Sequence, residues 1–290
     1  MQPKAGQNTD RPALAMKIDN IDLGRPQAGI DQADVVFEET VEGGLTRLFA
    51  VFQCNAASDV GPVRSARTSD SAMLRLLGHP VFGFSGANTK VTGQVAAQSH
   101  AVLFSYDANA TLFHRASDRP IPHNVFTSTK TLLDAAKKKD KTLKAPSPIF
   151  SYDSSAPNGA KSAKNIALTW STFTSAAWAW AGSHYVRTQN GTPDVLTDHN
   201  RVSAANVVVM RIKTKDTGIK DAIGNPSPDD VLTGSGKVWV FRDGKVVTGK
   251  WKRPSLDAPM TFVDNSGAAI KLAPGVTWVE LLPKPGTLKF

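Results

Sequence analysis

The chain has 290 residues, of which 41% are hydrophobic and 20% are charged, a composition that excludes fibrous and intrinsically disordered proteins. No apolar run approaches the roughly 18 residues that a membrane-spanning helix needs. The length predicts two domains, and the formal net charge of +9 favours anionic partners such as nucleic acid, anionic lipid or acidic wall polymers.

Polar side chains follow the first predicted strands of the chain. Three apolar runs read as strands, at residues 13–20, 34–39 and 45–54. Asp19 and Asn20 end the first run, Glu38 ends the second, and Glu42 follows one short turn later. Because open α/β sheets place functional groups at the carboxyl ends of their strands, these residues are candidates for a site.

The stretch Gly61–Asp70 lies between an apolar run and an amphipathic run, which predicts a strand, a tight loop and a helix. Ser65 and Thr68 are candidate caps for that helix. Arg64 and Arg67 at a helix start predict an anion site, because a guanidinium binds carboxylate or phosphate with two hydrogen bonds. In the alternative interpretation, both arginines are structural and form salt bridges with nearby acids.

The acids at the strand ends have two possible roles. Asp19, Glu38 and Glu42 could gather as oxygen ligands for a divalent metal. Their alternative partners are three nearby arginines, Arg47, Arg64 and Arg67. Since charges of both signs are available, we favour the internally paired network, and no metal site is predicted.

A second polar concentration follows near residue 120. Two prolines stiffen the loop that presents His123 and Asn124, and Arg115 precedes it. Histidine can act as an acid, a base or a metal ligand near neutral pH, although a hydrogen-bonding loop histidine is the commoner case. His114 and His123 lack the helical i, i+4 spacing, so a zinc site is not favoured.

The order of elements predicts the fold class. Strands alternate with helical segments over residues 1–145, which indicates an N-terminal α/β (or α+β) domain. Residues 146–164 are rich in Lys, Pro, Ser, Asn and Gly and are predicted to be a linker. Residues 165–290 are strand-rich, and the turns at 242–244 and 264–267 indicate hairpins. A mainly antiparallel β domain is therefore expected in the second half.

Two features limit the chemistry that the chain can carry. Cys54 is the only cysteine, so no internal disulfide can form, and its place at a strand end predicts a buried, unreactive thiol. The basic block Lys137–Lys141 has no accompanying RNP, zinc-finger or helix-turn-helix pattern. Specific nucleic-acid binding is therefore not predicted.

A set of motifs runs through most of the chain: Met16–Asn20, Arg25–Gly29, Ala33–Glu38, Glu42–Arg47, Gly61–Arg67, Leu112–Arg115, Pro122–Asn124, Gly234–Ser255 and Pro274–Glu280. Together these motifs resemble the YerB-like (DUF3048) family of bacterial extracytoplasmic lipoproteins. The resemblance implies an N-terminal α/β domain and a C-terminal β-rich domain. It also implies export and a lipid-modified cysteine, for which Cys54 lies too deep in the chain. It assigns no catalytic residues.

Two hypotheses follow for the function. The first is a cell-envelope protein that binds an anionic, phosphate- or carboxylate-bearing ligand or polymer in a cleft near Arg64 and Arg67. Its candidate ligand-binding residues are Arg47, Arg64, Arg67, Arg115, His123 and Asn124. The second is a hydrolase or transferase that uses Glu38 or Glu42 as base or metal ligand and His123 as acid. No cofactor is predicted for either hypothesis.

Overall fold

The structure is a computed structural model that describes residues 9–155, 157, 159–221 and 223–290. The described part of the first half contains α1 (Asp70–Arg75), α2 (Thr89–Gln98), α3 (Thr129–Lys139), β1 (Leu14–Asp19), β2 (Val35–Thr40), β3 (Thr46–Phe52), β4 (Val81–Phe84), β5 (Val102–Ser105), β6 (His114–Arg115) and β7 (Val125–Phe126). Among these residues, no helix combines the length and the apolar character that crossing a membrane requires.

The described part of the second half consists of strands. They are β8 (Lys161–Ser162), β9 (Asn165–Thr169), β10 (Ser175–Trp180), β11 (Tyr185–Gln189), β12 (Thr192–Pro193), β13 (Ser203–Ala204), β14 (Asn206–Lys220), β15 (Pro226–Val231), β16 (Gly234–Arg242), β17 (Lys245–Arg253), β18 (Thr261–Asp264), β19 (Thr277–Pro283) and β20 (Thr287–Lys289).

A twelve-stranded sheet runs through both halves of the described chain. Its main order is β18-β17-β16-β14-β19-β2-β3-β1-β4-β5, with β15 paired to β14 and β8 paired to β17. The strands β1, β4 and β5 are parallel, whereas most pairs of the second half are antiparallel. The predicted α/β first half and mainly antiparallel β second half are confirmed. The sequence did not indicate that β19 would join β2 and make one sheet of both halves.

Each face of the large sheet carries its own apolar core. Met16 and Ile18 of β1 belong to a cluster that includes Trp178 of a second, six-stranded sheet. Ala15 of β1 belongs to the other cluster, together with Met73 of α1. Because successive side chains of a strand point to opposite faces, polar residues that are adjacent in sequence lie on different faces of the sheet. This separation decides the composition of the candidate site.

The segment predicted as a linker packs on the second half of the chain. The Phe150 ring stacks on Phe262 with 5.4 Å between ring centroids, and Tyr152 pairs with Leu272 through a β-bridge. Since one sheet passes through both halves, the division into residues 1–145, 146–164 and 165–290 stays a prediction.

The predicted order of strand, loop and helix is confirmed, but the two arginines do not lie at the helix start. Helix α1 has six residues and begins at Asp70, so Arg64 and Arg67 precede it in an irregular segment. Its N-cap residue is Ser69, and the Thr68 hydroxyl instead donates to Asp229 at 2.7 Å. The helix end therefore adds nothing to anion binding here.

The Cys54 thiol lies in an environment that suppresses its reactivity. Burial and the adjacent Asp34 carboxylate raise the pKa of Cys54 to about 12. Because the thiolate is the reactive form, we expect alkylation by iodoacetamide at pH 8 to be about 100-fold slower in the native protein than after unfolding. Mass spectrometry of both states measures this ratio, and equal rates in the two states would contradict the prediction.

Candidate anion site and the polar clusters around it

The arginine loop lies along the carboxyl ends of two parallel strands. The Asp19 amide donates to the Pro62 carbonyl at 2.9 Å, and the Arg64 amide donates to the Lys17 carbonyl at 2.8 Å. On its other side, the Ser85 amide donates to the Arg64 carbonyl at 2.8 Å. These main-chain bonds place Arg64 between the ends of β1 and β4, where open α/β sheets commonly bind ligands.

The Asp19 carboxylate joins Arg64 to His123. Its Oδ2 atom is 3.1 Å from Arg64 Nε and 2.6 Å from His123 Nδ1. Asp19 is 1% exposed and His123 is 7% exposed. The two terminal guanidinium nitrogens of Arg64 have no hydrogen-bond partner among the described residues. Neither nitrogen is completely shielded from solvent. Arg64 thus offers free donors at the edge of a buried pair.

Arg67 binds Glu42 at the far side of the loop. Its Nε and Nη2 atoms lie 2.9 and 2.5 Å from Glu42 Oε2. Burial raises the pKa of Glu42, but the hydrogen bonds and charge of Arg67, together with the Ser227 hydroxyl at 2.6 Å, hold it below the ordinary value. Glu42 is therefore an ionised, fully engaged carboxylate.

Arg47 lies between these two pairs and forms no ion pair with a carboxylate among the residues that the structure describes. Its Nη1 atom donates to the Ser65 carbonyl at 2.9 Å, and Arg67 reaches the same oxygen at 3.4 Å. Arg47 is only 9% exposed. Burial and the charges of Arg67 and Arg64 lower the pKa of Arg47 to about 9, although Asp19 and Glu42 partly compensate. This cationic group is the least well compensated member of the cluster.

Three guanidinium groups thus face two carboxylates at the outer part of this cluster. The negative counterpart lies deeper, where Lys17 binds both Glu39 and Asp70 and all three side chains are fully buried. Burial lowers the pKa of Lys17 to about 8, with Asp70 opposing the shift. The guanidinium groups of the cluster therefore lie closer to solvent than its Lys17 ammonium group.

The paired strands β14 and β15 reach from the second half over the arginine loop. The Ser227 hydroxyl donates to Glu42, and Asp229 accepts from Thr68 at 2.7 Å. The cluster is therefore assembled from both halves of the chain.

Glu38 belongs to a different cluster on the opposite face of the sheet. It accepts from Asn20 at 3.0 Å, from Thr46 at 2.7 Å and from Arg187 Nη2 at 2.5 Å. Arg187 also binds Asp194, and all three charged side chains are essentially inaccessible to solvent. This cluster links β2 of the large sheet to β11 of the six-stranded sheet.

Glu280 completes that second cluster. It lies opposite Glu38 in the parallel pair of β19 and β2, and it accepts from Trp178 Nε1 at 2.8 Å. Burial, followed by the charge of Glu38, raises the pKa of Glu280 well above its ordinary value, although Arg187 opposes the shift. Glu280 is thus a carboxyl group that the fold favours in its protonated form.

The predicted site residues divide into three groups. Asp19, Arg47, Arg64, Arg67, Glu42 and His123 come together, whereas Glu38 does not join them. Arg115 binds Asn124 at 2.5 Å and the Tyr106 hydroxyl at 3.0 Å, so these two candidates join the β6–β7 hairpin to β5 and its following turn. His114 lies 3.5 Å from Asp59 and does not pair with His123.

The three acids considered as metal ligands, Asp19, Glu38 and Glu42, each pair with a different arginine and do not meet at one point. Within residues 9–155, 157, 159–221 and 223–290, no group of three or more His, Cys, Asp or Glu side chains could hold a metal ion. Sequence reasoning overlooked Arg187 and Glu280. The strand period of two could have indicated Arg187, because it places this charged residue on the same buried face of β11 as Tyr185 and Gln189.

Comparisons with known proteins agree with this architecture. The chain belongs to the DUF3048 family. Residues 1–142 match "Protein of unknown function (DUF3048) N-terminal domain", and residues 164–279 match the corresponding C-terminal domain. A relative from Bacillus subtilis (strain 168) has the name "Putative lipoprotein YerB" and is 26% identical over 280 residues, or 95% of this chain and 82% of the relative.

A solved structure shows the same fold. The crystal structure of YerB protein from Bacillus subtilis has a TM-score of 0.83 and 25% sequence identity to this chain, and the match covers 97% of this chain and 95% of that one. The resemblance inferred from the motifs is therefore confirmed.

Proposed function

We propose that this protein is an extracytoplasmic, lipid-anchored protein of the bacterial cell envelope that binds an anionic ligand at Arg47, Arg64 and Arg67. The observation that carries the proposal is the pair of free terminal nitrogens on Arg64 beside Arg47, which has no carboxylate partner in the described part of the chain. The location is supported by the lipoprotein description of the YerB relative.

The chemistry of the cluster favours phosphate or carboxylate groups as ligands. A guanidinium presents its donors in a plane that matches two oxygens of either group. An anion beside Arg47 would offset the repulsion from Arg64 and Arg67 that lowers the pKa of Arg47. Binding would therefore relieve an unfavourable interaction in the free protein as well as form new hydrogen bonds.

The envelope offers such ligands as polymers, and the net charge of +9 adds long-range attraction to them. The enzymatic alternative on Glu38 and Glu42 has less support, because Arg187 and Arg67 already engage these carboxylates. Asn20 and Thr46 also donate to Glu38, and Ser227 also donates to Glu42, so both carboxylates are occupied by hydrogen bonds within the protein.

The test is calorimetric titration with poly(glycerol phosphate) and, separately, with poly-L-glutamate. Arg64→Gln is expected to weaken binding of the preferred polymer about 10- to 100-fold, because a hydrogen bond to a charged group contributes about 1.5–3 kcal/mol. Arg75→Gln is the matched control, since Arg75 already binds Asp257 and contacts His100.

Four outcomes distinguish the two ligand classes and test the proposal itself. Preference for the first polymer identifies phosphate, and preference for the second identifies carboxylate. Affinity that falls equally in both arginine variants, or in neither, contradicts a specific site at Arg64. Binding of neither polymer by the natural protein contradicts the proposed function.

A further inference from the structure

The geometry points to a catalytic role for the same site: Asp19 and His123 form a general-base dyad that hydrolyses a phosphodiester bound by the arginines. This inference rests on the proposed function, because the arginines must first hold the phosphate group. It assigns to Asp19 a role that differs from metal binding and from a purely structural salt bridge.

The hydrogen bond between the two side chains sets the state of the imidazole. His123 Nδ1 lies 2.6 Å from Asp19 Oδ2, and an ionised carboxylate can only accept a hydrogen bond. The proton is therefore assigned to Nδ1, which leaves the lone pair on Nε2 free to accept a proton. His123 Nε2 has no hydrogen-bond partner among the described residues, and this atom is not completely shielded from solvent.

The loop that carries His123 is fixed at both ends of its turn. The His123 amide donates to the Pro120 carbonyl at 2.8 Å. Arg119, next to that turn, donates to the Pro26 carbonyl at 2.7 Å and so ties the loop to the segment after β1. The imidazole is thus oriented before any ligand arrives, which is the arrangement that a general base requires.

Arg64 and His123 both contact the same carboxylate oxygen, Asp19 Oδ2. Since one carboxylate oxygen separates the two side chains, we place a phosphate bound by the free nitrogens of Arg64 on the imidazole side of this group. Arg47 adds a second, poorly compensated cation to the same place. Charge that develops on the phosphoryl oxygens during hydrolysis would be stabilised by these two groups.

The reaction needs only water as a co-reactant. His123 Nε2 accepts a proton from water as the water oxygen forms a bond to phosphorus. The ester P–O bond then breaks, its electron pair leaves with the alcohol oxygen, and that oxygen takes a proton from solvent. The imidazolium returns its proton to solvent, so the sum is diester plus water giving monoester plus alcohol.

The probe that tests the base alone is bis(p-nitrophenyl) phosphate, since its leaving p-nitrophenolate needs no proton. Hydrolysis by the natural protein is expected, and His123→Gln is expected to lower kcat about 100- to 10,000-fold while phosphate affinity stays unchanged. Asp19→Asn tests the positioning role, and it is expected to lower kcat with little change in KM. His114→Gln, an exposed histidine on the same hairpin, is the matched control and should retain kcat.

A second measurement is independent of the leaving group. Vanadate resembles the transition state of phosphoryl transfer, so the natural protein is expected to bind it at least about tenfold more tightly than phosphate, and His123→Gln is not. Turnover or a vanadate preference that persists in His123→Gln overturns the dyad. Phosphate binding with neither turnover nor a vanadate preference also overturns it but leaves the proposed function standing, whereas loss of all anion binding removes both.

Discussion

Arg187→Met is expected to lower the free energy of unfolding by about 3–5 kcal/mol, the usual effect of removing one partner of a buried ion pair. Arg187 is fully buried and binds both Glu38 and Asp194. Without the guanidinium, two carboxylates stay in the interior between the two sheets with no compensating charge. Chemical denaturation followed by circular dichroism measures the loss.

Arg253→Met is the matched control for this prediction. Arg253 is also fully buried, but its hydrogen bonds within the described chain go to main-chain carbonyls, those of Ala72, Leu256 and Ala258. Its removal leaves only neutral acceptors, which water or relaxed main chain can satisfy, and no buried charge, so we expect a smaller loss than for Arg187→Met. An equal or smaller loss for Arg187→Met would contradict a stabilising role of the Glu38–Arg187–Asp194 cluster.

Glu280→Gln is expected to stabilise the protein at pH 8 by about 1–3 kcal/mol and to have little effect near pH 5. Burial and Glu38 raise the pKa of Glu280 in the folded state. A group with a raised pKa contributes its full stability below its unfolded pKa, and that contribution is lost as the pH rises through the folded value. Glutamine stays neutral and keeps an oxygen that can accept from Trp178.

Thermal unfolding of both proteins between pH 5 and 8 measures the difference. The natural protein should lose stability relative to Glu280→Gln as the pH rises above the ordinary range of glutamate. Subtracting the two curves removes the contributions of Lys17 and Asp230, whose pKa values of about 8 and about 7 are common to both proteins. A difference independent of pH would contradict the assignment. Glu38→Gln should instead destabilise at both pH values, because it removes a partner of Arg187.

Local patterns were sufficient for the elements that carry the candidate site. The apolar runs with polar ends correspond to β1, β2 and β3, and the proline-stiffened loop does present His123 beside other candidates. The motifs also identified the family correctly. These features depend on residues close together in the chain, so their physical causes are readable in the sequence.

Local sequence patterns could not predict which charged groups would pair with each other. Glu38 and Glu39 are neighbours in β2, but successive side chains of a strand point to opposite faces of the sheet. Glu38 therefore binds Arg187 on one face, and Glu39 binds Lys17 on the other. Glu280 meets Glu38 only because β19 pairs with β2, an alignment that depends on the order of strands in the whole sheet.

The sequence by itself determined the family, the strand-rich second half and the presence of an arginine loop near acids. Only the tertiary structure decided that Asp19 would join Arg64 to His123, while Arg47 binds the Ser65 carbonyl and no carboxylate of the described residues. The reason is physical: strand periodicity and turn chemistry act over a few residues, whereas charge pairing is chosen by burial and by which strands lie side by side.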